Sequence, residues 1–335
     1  MRSETAARTL SHAARCDAVQ LRRLGAVGGI TLSGDGASED ILRWCASVVG
    51  SCEVESGDAR FHGRTTVCRL RTATGHAYVK VHRDRGTWGP EVHGYERWSR
   101  AFPGRTPTLL GVYDAGPFAL LVSGMPGKNL EDAALPEAKR RDAWRAAGNA
   151  LTSLHELEVG EYFGSCDRDG HALGVPVTDA VEYIAAAYEE DIGRGARGGW
   201  LSEQELAVIE RARVMIPAFA GERPIPCHRD YCPVNWIVDD DGEWIGVIDY
   251  EFSRWDVRVS DFSRYPDWDW MLRPDLTDAF FEGYGRPLSP VEQDQLLVSR
   301  TQYALGAIVW GRENSFFGFE QEGRDALVVL AELLP

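Results

Sequence analysis

The segment CHRDYCPVNWIVDDDGEWIGVIDYEFSRWDVRVSDFSR, residues 227–264, constrains this chain more than any other. It sets His228, Asp230 and Asn235 at the spacing H-x-D-x-x-x-x-N and adds a further aspartate, Asp249, downstream. Between them the run NWIVD (235–239) predicts a strand, DDDG (239–242) a turn, and EWIGVIDYE (243–251) a second strand. A hairpin of this kind returns Asp249 to the loop that carries Asp230 and Asn235, so three oxygen-bearing side chains face one point. Asn235 and Asp249 are hard oxygen ligands of the sort Mg²⁺ takes together with water and phosphate. Asp230 is left to hold a hydroxyl. Phosphoryl transfer needs this division of labour, because the protein positions groups and neutralises charge and does little covalent chemistry itself. Asp239, Asp240 and Asp241 are read instead as solvated turn acids.

The rest of the chain must build a frame around that segment. Its 335 residues suggest about two domains or two lobes of one. Lys plus Arg number 36 and Asp plus Glu 51, a net charge of −15. That balance argues against a nucleic-acid surface and fits small or cationic partners. No apolar run has the length of a signal peptide or approaches the roughly 18 residues of a membrane span, so a cytoplasmic protein with no membrane partner is expected. The seven cysteines are scattered, odd in number and without a C-x-x-C pair. Neither a disulfide framework nor a zinc site is supported. Cys227 and Cys232 are read as small buried residues.

Along the chain, residues 1–50 carry helical patterning around Ala13–Leu24 and Ser38–Val49. CEVES (52–56) is extended, GDARFHG (57–63) reads as a turn, and RTTVCRLRT (64–72) and HAYVKVH (76–82) as a hairpin closed by TATG (72–75). A helix is expected from about Pro90 to Arg100, with the proline in its first turn. Two short strands follow at 109–116 and 117–124. At Met125-Pro126-Gly127 the pattern changes to mostly helical. Helices are expected over 138–157, Thr178–Asp191 and Ser202–Ala218, where Ser202 and Glu205 form a capping box. Helices resume from about Arg273. The predicted division is therefore 1–50, a helical extension; 51–124, a small β-rich lobe; and 125–335, a larger helical lobe that embeds the strand pair.

HRDYCPVN and VIDYE resemble the Brenner motif and metal-binding segment of the aminoglycoside phosphotransferase and choline kinase superfamily, and further marks fall in that family's order over roughly residues 50–330. The resemblance implies an α+β, bilobal, protein-kinase-like fold, with a small antiparallel-sheet N-lobe and a larger mainly helical C-lobe. It implies an enzyme that moves the γ-phosphate of ATP or GTP to a hydroxyl with Mg²⁺ as cofactor. Lys80, alone in an apolar strand, resembles the lysine that pairs the α- and β-phosphates. Strand alternation alone makes it as often a solvent-facing residue. Glu91 resembles that lysine's glutamate partner, with Glu96 as competitor. The hinge of such folds meets the base through backbone groups, here about Ser123, Gly124 and Met125. Ser56, Gly57 and the residues near Arg60–Arg64 are candidates for the phosphate-covering turn, which lacks G-x-G-x-x-G; a plain β-turn is an equal reading. His228 resembles a residue that braces the catalytic loop, His155 a buried structural residue of the family's L-H helix, and Asp261 the aspartate that ties the loop after the metal site back to the large lobe. Arg229 and Val234 stand where relatives commonly carry glycine, so the loop's backbone path is an open question.

The acceptor is less constrained. Glu251, Asp256, Asp267 and Asp269, with Trp268 and Trp270 as stacking walls, are candidates for a cleft that takes a cationic antibiotic such as an aminoglycoside. A solvated acidic face with core tryptophans is an equal reading. Peptide or nucleoside antibiotics, a choline- or homoserine-like metabolite, and a degenerate fold that only binds nucleotide are the alternatives. A homodimer through residues 1–50 is left open.

Overall fold

The structure is a computed structural model that describes residues 36–59, 65–264, 270 and 273–335. The expected helix at Ala13–Leu24, the residues Arg60–Arg64, and Asp267, Trp268 and Asp269 lie outside these.

Helix α1 (Gly36–Val49) leads into five antiparallel strands: β1 (Cys52–Ala59), β2 (Thr65–Thr72), β3 (Gly75–His82), β4 (Leu109–Tyr113) and β5 (Phe118–Ser123), in the order β1-β2-β3-β5-β4. Alternation along the strands gives the sheet two different faces. Cys68, Leu70, Ala77, Val79, Ala119 and Leu121 face α1 and pack with its Ile41 and Cys45. The opposite face carries Lys80, whose cross-strand partners are Val67 and Leu120.

Helix α2 (Arg85–His93) crosses below that second face. It begins before the expected start at Pro90, because Asp84 caps it: Asp84 Oδ1 accepts from Thr87 N at 3.0 Å. Pro90 is therefore inside the helix rather than in its first turn, and the chain continues as a π-turn over Gly94–Trp98. Close packing explains Gly94. A Cβ there would lie 2.8 Å from Tyr250 Cβ and 2.9 Å from Ser253 Oγ.

Beyond the hinge, β6 (Lys128–Asn129) pairs with β8 (Trp236–Val238), which pairs with β9 (Trp244–Val247); β7 (Ile225–Cys227) pairs with β10 (Arg254–Asp256). The helices α3 (Glu137–His155), α4 (Ala180–Gly198), α5 (Glu203–Arg213), α6 (Pro274–Tyr284), α7 (Pro290–Glu313) and α8 (Phe317–Leu333) surround them. The capping box of Ser202 and Glu205 is present. The strands β6, β7 and β10 have two or three residues each, too short to show a period in sequence.

Helices α3 and α6 meet backbone to backbone. A Cβ on Gly148 would lie 2.0 Å from the Phe280 carbonyl oxygen, and one on Gly283 would lie 1.8 Å from that of Arg145. Around this crossing Trp144, Trp236, Phe262, Trp270 and Phe280 form one aromatic core, with ring centroids 5.0 Å apart for Trp144–Trp236 and 4.7 Å for Trp270–Phe280. Trp270 is 4% exposed, so it belongs to this core and is not a wall of an acceptor cleft. Among the described residues no helix is long and apolar enough to cross a membrane.

Candidate active site

The loop 228–235 and the end of β9 are joined by main-chain bonds that the hairpin pattern anticipates. Asn235 N and Trp236 N both donate to Cys232 O, closing a turn. Ile248 N then donates to Asn235 O at 3.0 Å, and Ile248 O lies 3.2 Å from His228 Nε2. Asp249, the next residue, adopts φ 74°. This left-handed conformation is costly for a residue with a side chain, and here it is held at a site where three charged elements meet.

Lys80 Nζ donates to Glu91 Oε1 at 2.6 Å and to Asp249 Oδ1 at 2.7 Å, and lies 3.6 Å from Glu251 Oε2. Lys80 is buried, so its strand position is a cleft position and not a solvent-facing one. Burial alone would depress its pKa, but the charges of Asp249, Glu91 and Glu251 outweigh it and hold the ammonium above the ordinary lysine value. Glu91 is fully buried, with His82 Nε2 2.9 Å from its other oxygen. Glu96, the competitor, pairs with Arg168 at the surface at 2.6 Å. His82 was legible in principle, since it shares Lys80's strand face two residues on.

Asp230 stands across the loop. Asn235 Nδ2 donates to Asp230 Oδ2 at 2.6 Å and to its main-chain oxygen at 2.9 Å. That turns the Asn235 carbonyl oxygen to the opposite side of its amide. The loop is braced from below by Asp261, whose carboxylate accepts from His228 N at 3.0 Å and from Arg229 N at 2.5 Å. His155 Nε2 lies 2.9 Å from the same carboxylate, and its Nδ1 2.8 Å from the Tyr284 hydroxyl. Burial would raise the Asp261 pKa, but His155 and the amides hold it below the usual carboxylate range. Cys227 and Cys232 are buried.

Several expected residues sit elsewhere. Asp256 is 1% exposed and serves the fold: it lies 3.3 Å from Arg229 Nη1 and accepts from Ser260 Oγ and Val257 N at 2.8 Å and from Tyr183 Oη at 3.1 Å. It is not a cleft wall. Glu251 accepts from Thr65 Oγ1 at 3.4 Å beside Lys80. Ser56 and Gly57 lie within β1, opposite Arg69 and Cys68, and so precede residues 60–64. At the hinge, Ser123 N donates to Thr108 O and Gly124 N to His76 O. Met125 N–H therefore stands apart from these two, with no main-chain acceptor among the described residues. A recess of about 740 Å³ lies next to α1 and reaches this hinge, lined by Val48, Val49, Arg69, His76, Ser123 and Met125 among others and by none of Lys80, Glu91 and Asp249.

Two lysine-bound carboxylates, an amide oxygen and a third carboxylate on a braced loop bring together groups of the kinds that suit phosphate, a hard cation and a hydroxyl. The donor set fits Mg²⁺ in kind, being oxygen throughout. The fold and this site define a kinase-like phosphotransferase. The sequence profile described as the Phosphotransferase enzyme family matches residues 62–294, and the chain belongs to that family. Among solved structures, the chain is similar to aminoglycoside phosphotransferase APH(4)-Ia, with a TM-score of 0.69 at 12% identity over 88% of this chain and 98% of that one. It is similar to APH(2")-IIa in its gentamicin complex, with a TM-score of 0.60 at 14% identity over 89% and 97%. It is also similar to macrolide 2'-phosphotransferase MphH from Brachybacterium faecium, with a TM-score of 0.57 at 14% identity over 86% and 97%. These similarities establish a shared fold. No curated protein matches the sequence.

Proposed function

We propose that this phosphotransferase transfers the γ-phosphoryl group of ATP or GTP to a hydroxyl of a small molecule, and that the acceptor is an antibiotic. The observation that carries the reading is the convergence of Lys80, Glu91 and Asp249 within 2.7 Å contacts beside the braced pair of Asp230 and Asn235. Residues 51–124 would form the lobe that holds the nucleotide and 125–335 the lobe that holds the acceptor. Met125 N–H is the hinge donor suited to the base. Lys80, held by Glu91, grips the α- and β-phosphates, and Glu251 stands at this phosphate end of the cleft. Asn235 and Asp249 are the residues that would hold Mg²⁺, which when bound neutralises phosphate oxygens. Asp230 orients the acceptor hydroxyl and receives its proton as the bond to phosphorus forms. A cytoplasmic location, where nucleotide is supplied, accords with this reading.

Support for an antibiotic acceptor comes from the similar structures, which hold hygromycin B, gentamicin or streptomycin. Beside Asp230 the described side chains include Arg264 and Tyr303. The test is Mg²⁺-dependent nucleotide turnover with hygromycin B, gentamicin, streptomycin and a macrolide. Asp230→Ala is expected to lower turnover by a factor on the order of 10³ while nucleotide affinity holds. Unchanged turnover in that variant refutes the assignment.

A further inference from the structure

Both oxygens of the Asp230 carboxylate are held by the protein. Asn235 takes Oδ2 at 2.6 Å, and Arg264 Nε lies 2.5 Å from Oδ1. Arg264 follows the bracing aspartate Asp261 in the DFSR stretch, and no role attaches to it so far. Its guanidinium is fixed from behind as well, since Nη1 donates to the Tyr303 hydroxyl on α7 at 3.0 Å.

Two donors on two different oxygens leave the carboxylate one orientation. Rotation about its Cβ–Cγ bond cannot relax one contact without breaking the other. Each carboxylate oxygen has two acceptor sites, so a hydroxyl can still be received with both contacts in place. A guanidinium does not give up its proton near neutral pH, so Arg264 cannot take the hydroxyl's proton and acts through Asp230. Its planar fork also explains the residue type. One group spans Asp230 and Tyr303 at a fixed angle, which the point charge of a lysine does not.

We propose that Arg264 is a positioning residue for the transfer, aligning Asp230 with the acceptor hydroxyl while Tyr303 sets the angle of the guanidinium. This rests on Asp230 being the group that receives the hydroxyl.

The experiment compares full-length wild type with Arg264→Ala, Arg264→Lys, Tyr303→Phe and Asp230→Ala. The readouts are kcat and KM with MgATP and whichever of hygromycin B, gentamicin, streptomycin or a macrolide the wild type turns over, ATP hydrolysis to water, and Tm. A misaligned base costs roughly 10- to 100-fold. That fall is expected in kcat for Arg264→Ala, with the KM for ATP held within about twofold. Arg264→Lys is expected to lie between alanine and wild type, and Tyr303→Phe to lose a few-fold in kcat at wild-type Tm. Wild-type kcat in Arg264→Ala overturns the proposal. So does a fall in kcat matched by a rise in the KM for ATP and a lowered Tm, which marks a structural role. Where Arg264→Ala does not fold, unchanged kcat in both other variants overturns it. An Asp230→Ala protein as active as wild type, or a wild type with no turnover of any acceptor or of water, removes the underlying reading. An inactive Asp230→Ala beside fully active Arg264 variants removes only the positioning role.

Discussion

Arg229 has a backbone φ of 67°, in the region where glycine is at ease and an arginine is strained by roughly 1–2 kcal/mol. The H-G-D pattern that the loop resembles has glycine at this position, and the arginine here takes a conformation that glycine adopts freely and so bears the strain. Val234, the other departure, is not among the residues of positive φ, and its carbonyl accepts from the Asn129 amide. The strain at Arg229 is offset by its ion pair with buried Asp256. Arg229→Gly is expected to lower stability by about 1–3 kcal/mol in urea unfolding, because an unpaired buried carboxylate costs more than the backbone relief returns. Acid sensitivity also belongs to this scale. Burial lowers the pKa of His155 and His228 below the ordinary 6.5. Below that pH the unfolded chain takes up protons that the folded one refuses. The stability tied to their neutral state is thus complete above about pH 6.5 and is lost as pH falls. Tm should drop between pH 7 and pH 5, and His155→Gln should flatten part of that slope.

At the scale of elements, the site depends on how closely two helices approach their neighbours. Helix α3 passes α6 at Gly148 with no room for a methyl group. Gly148→Ala should therefore cost about 1–3 kcal/mol or more by overpacking, read as a lower urea midpoint at unchanged slope. What the sequence discloses at this level follows a physical rule. The strand carrying Lys80, the hairpin from Asn235 to Asp249 and the capped helix at Ser202 announce themselves through local period and local caps. Asp256 and Trp270 do not. An aspartate satisfied by Arg229, Tyr183 and Ser260 looks the same in sequence as one lining a cleft. A tryptophan in a core looks the same as one on a wall. Arg264 was hidden for a similar reason, since its contact with Asp230 exists only once β10 and the following turn fold back. The start of α2 was misplaced because Pro90 drew the boundary, whereas the Asp84 cap decides it.

For the whole molecule, the cleft joins charges contributed by β3, α2, the loop 228–235 and the end of β9. A ligand that engages them all should stabilise the protein as one unit. MgATP at 100 times its Kd is expected to add about 2.7 kcal/mol, seen as a raised Tm, and Asp249→Asn should remove most of that increment. One feature of the same loop bears on regulation. The guanidinium of Arg229, directly before Asp230, is neutralised by Asp256 from within the chain. In kinase folds ordered by phosphorylation, arginines of this sort wait for a phosphate added to a loop, and the modification is the switch. Here an encoded carboxylate already supplies that negative charge. The counter-charge of Arg229 is thus written into the sequence, fixed when the chain folds.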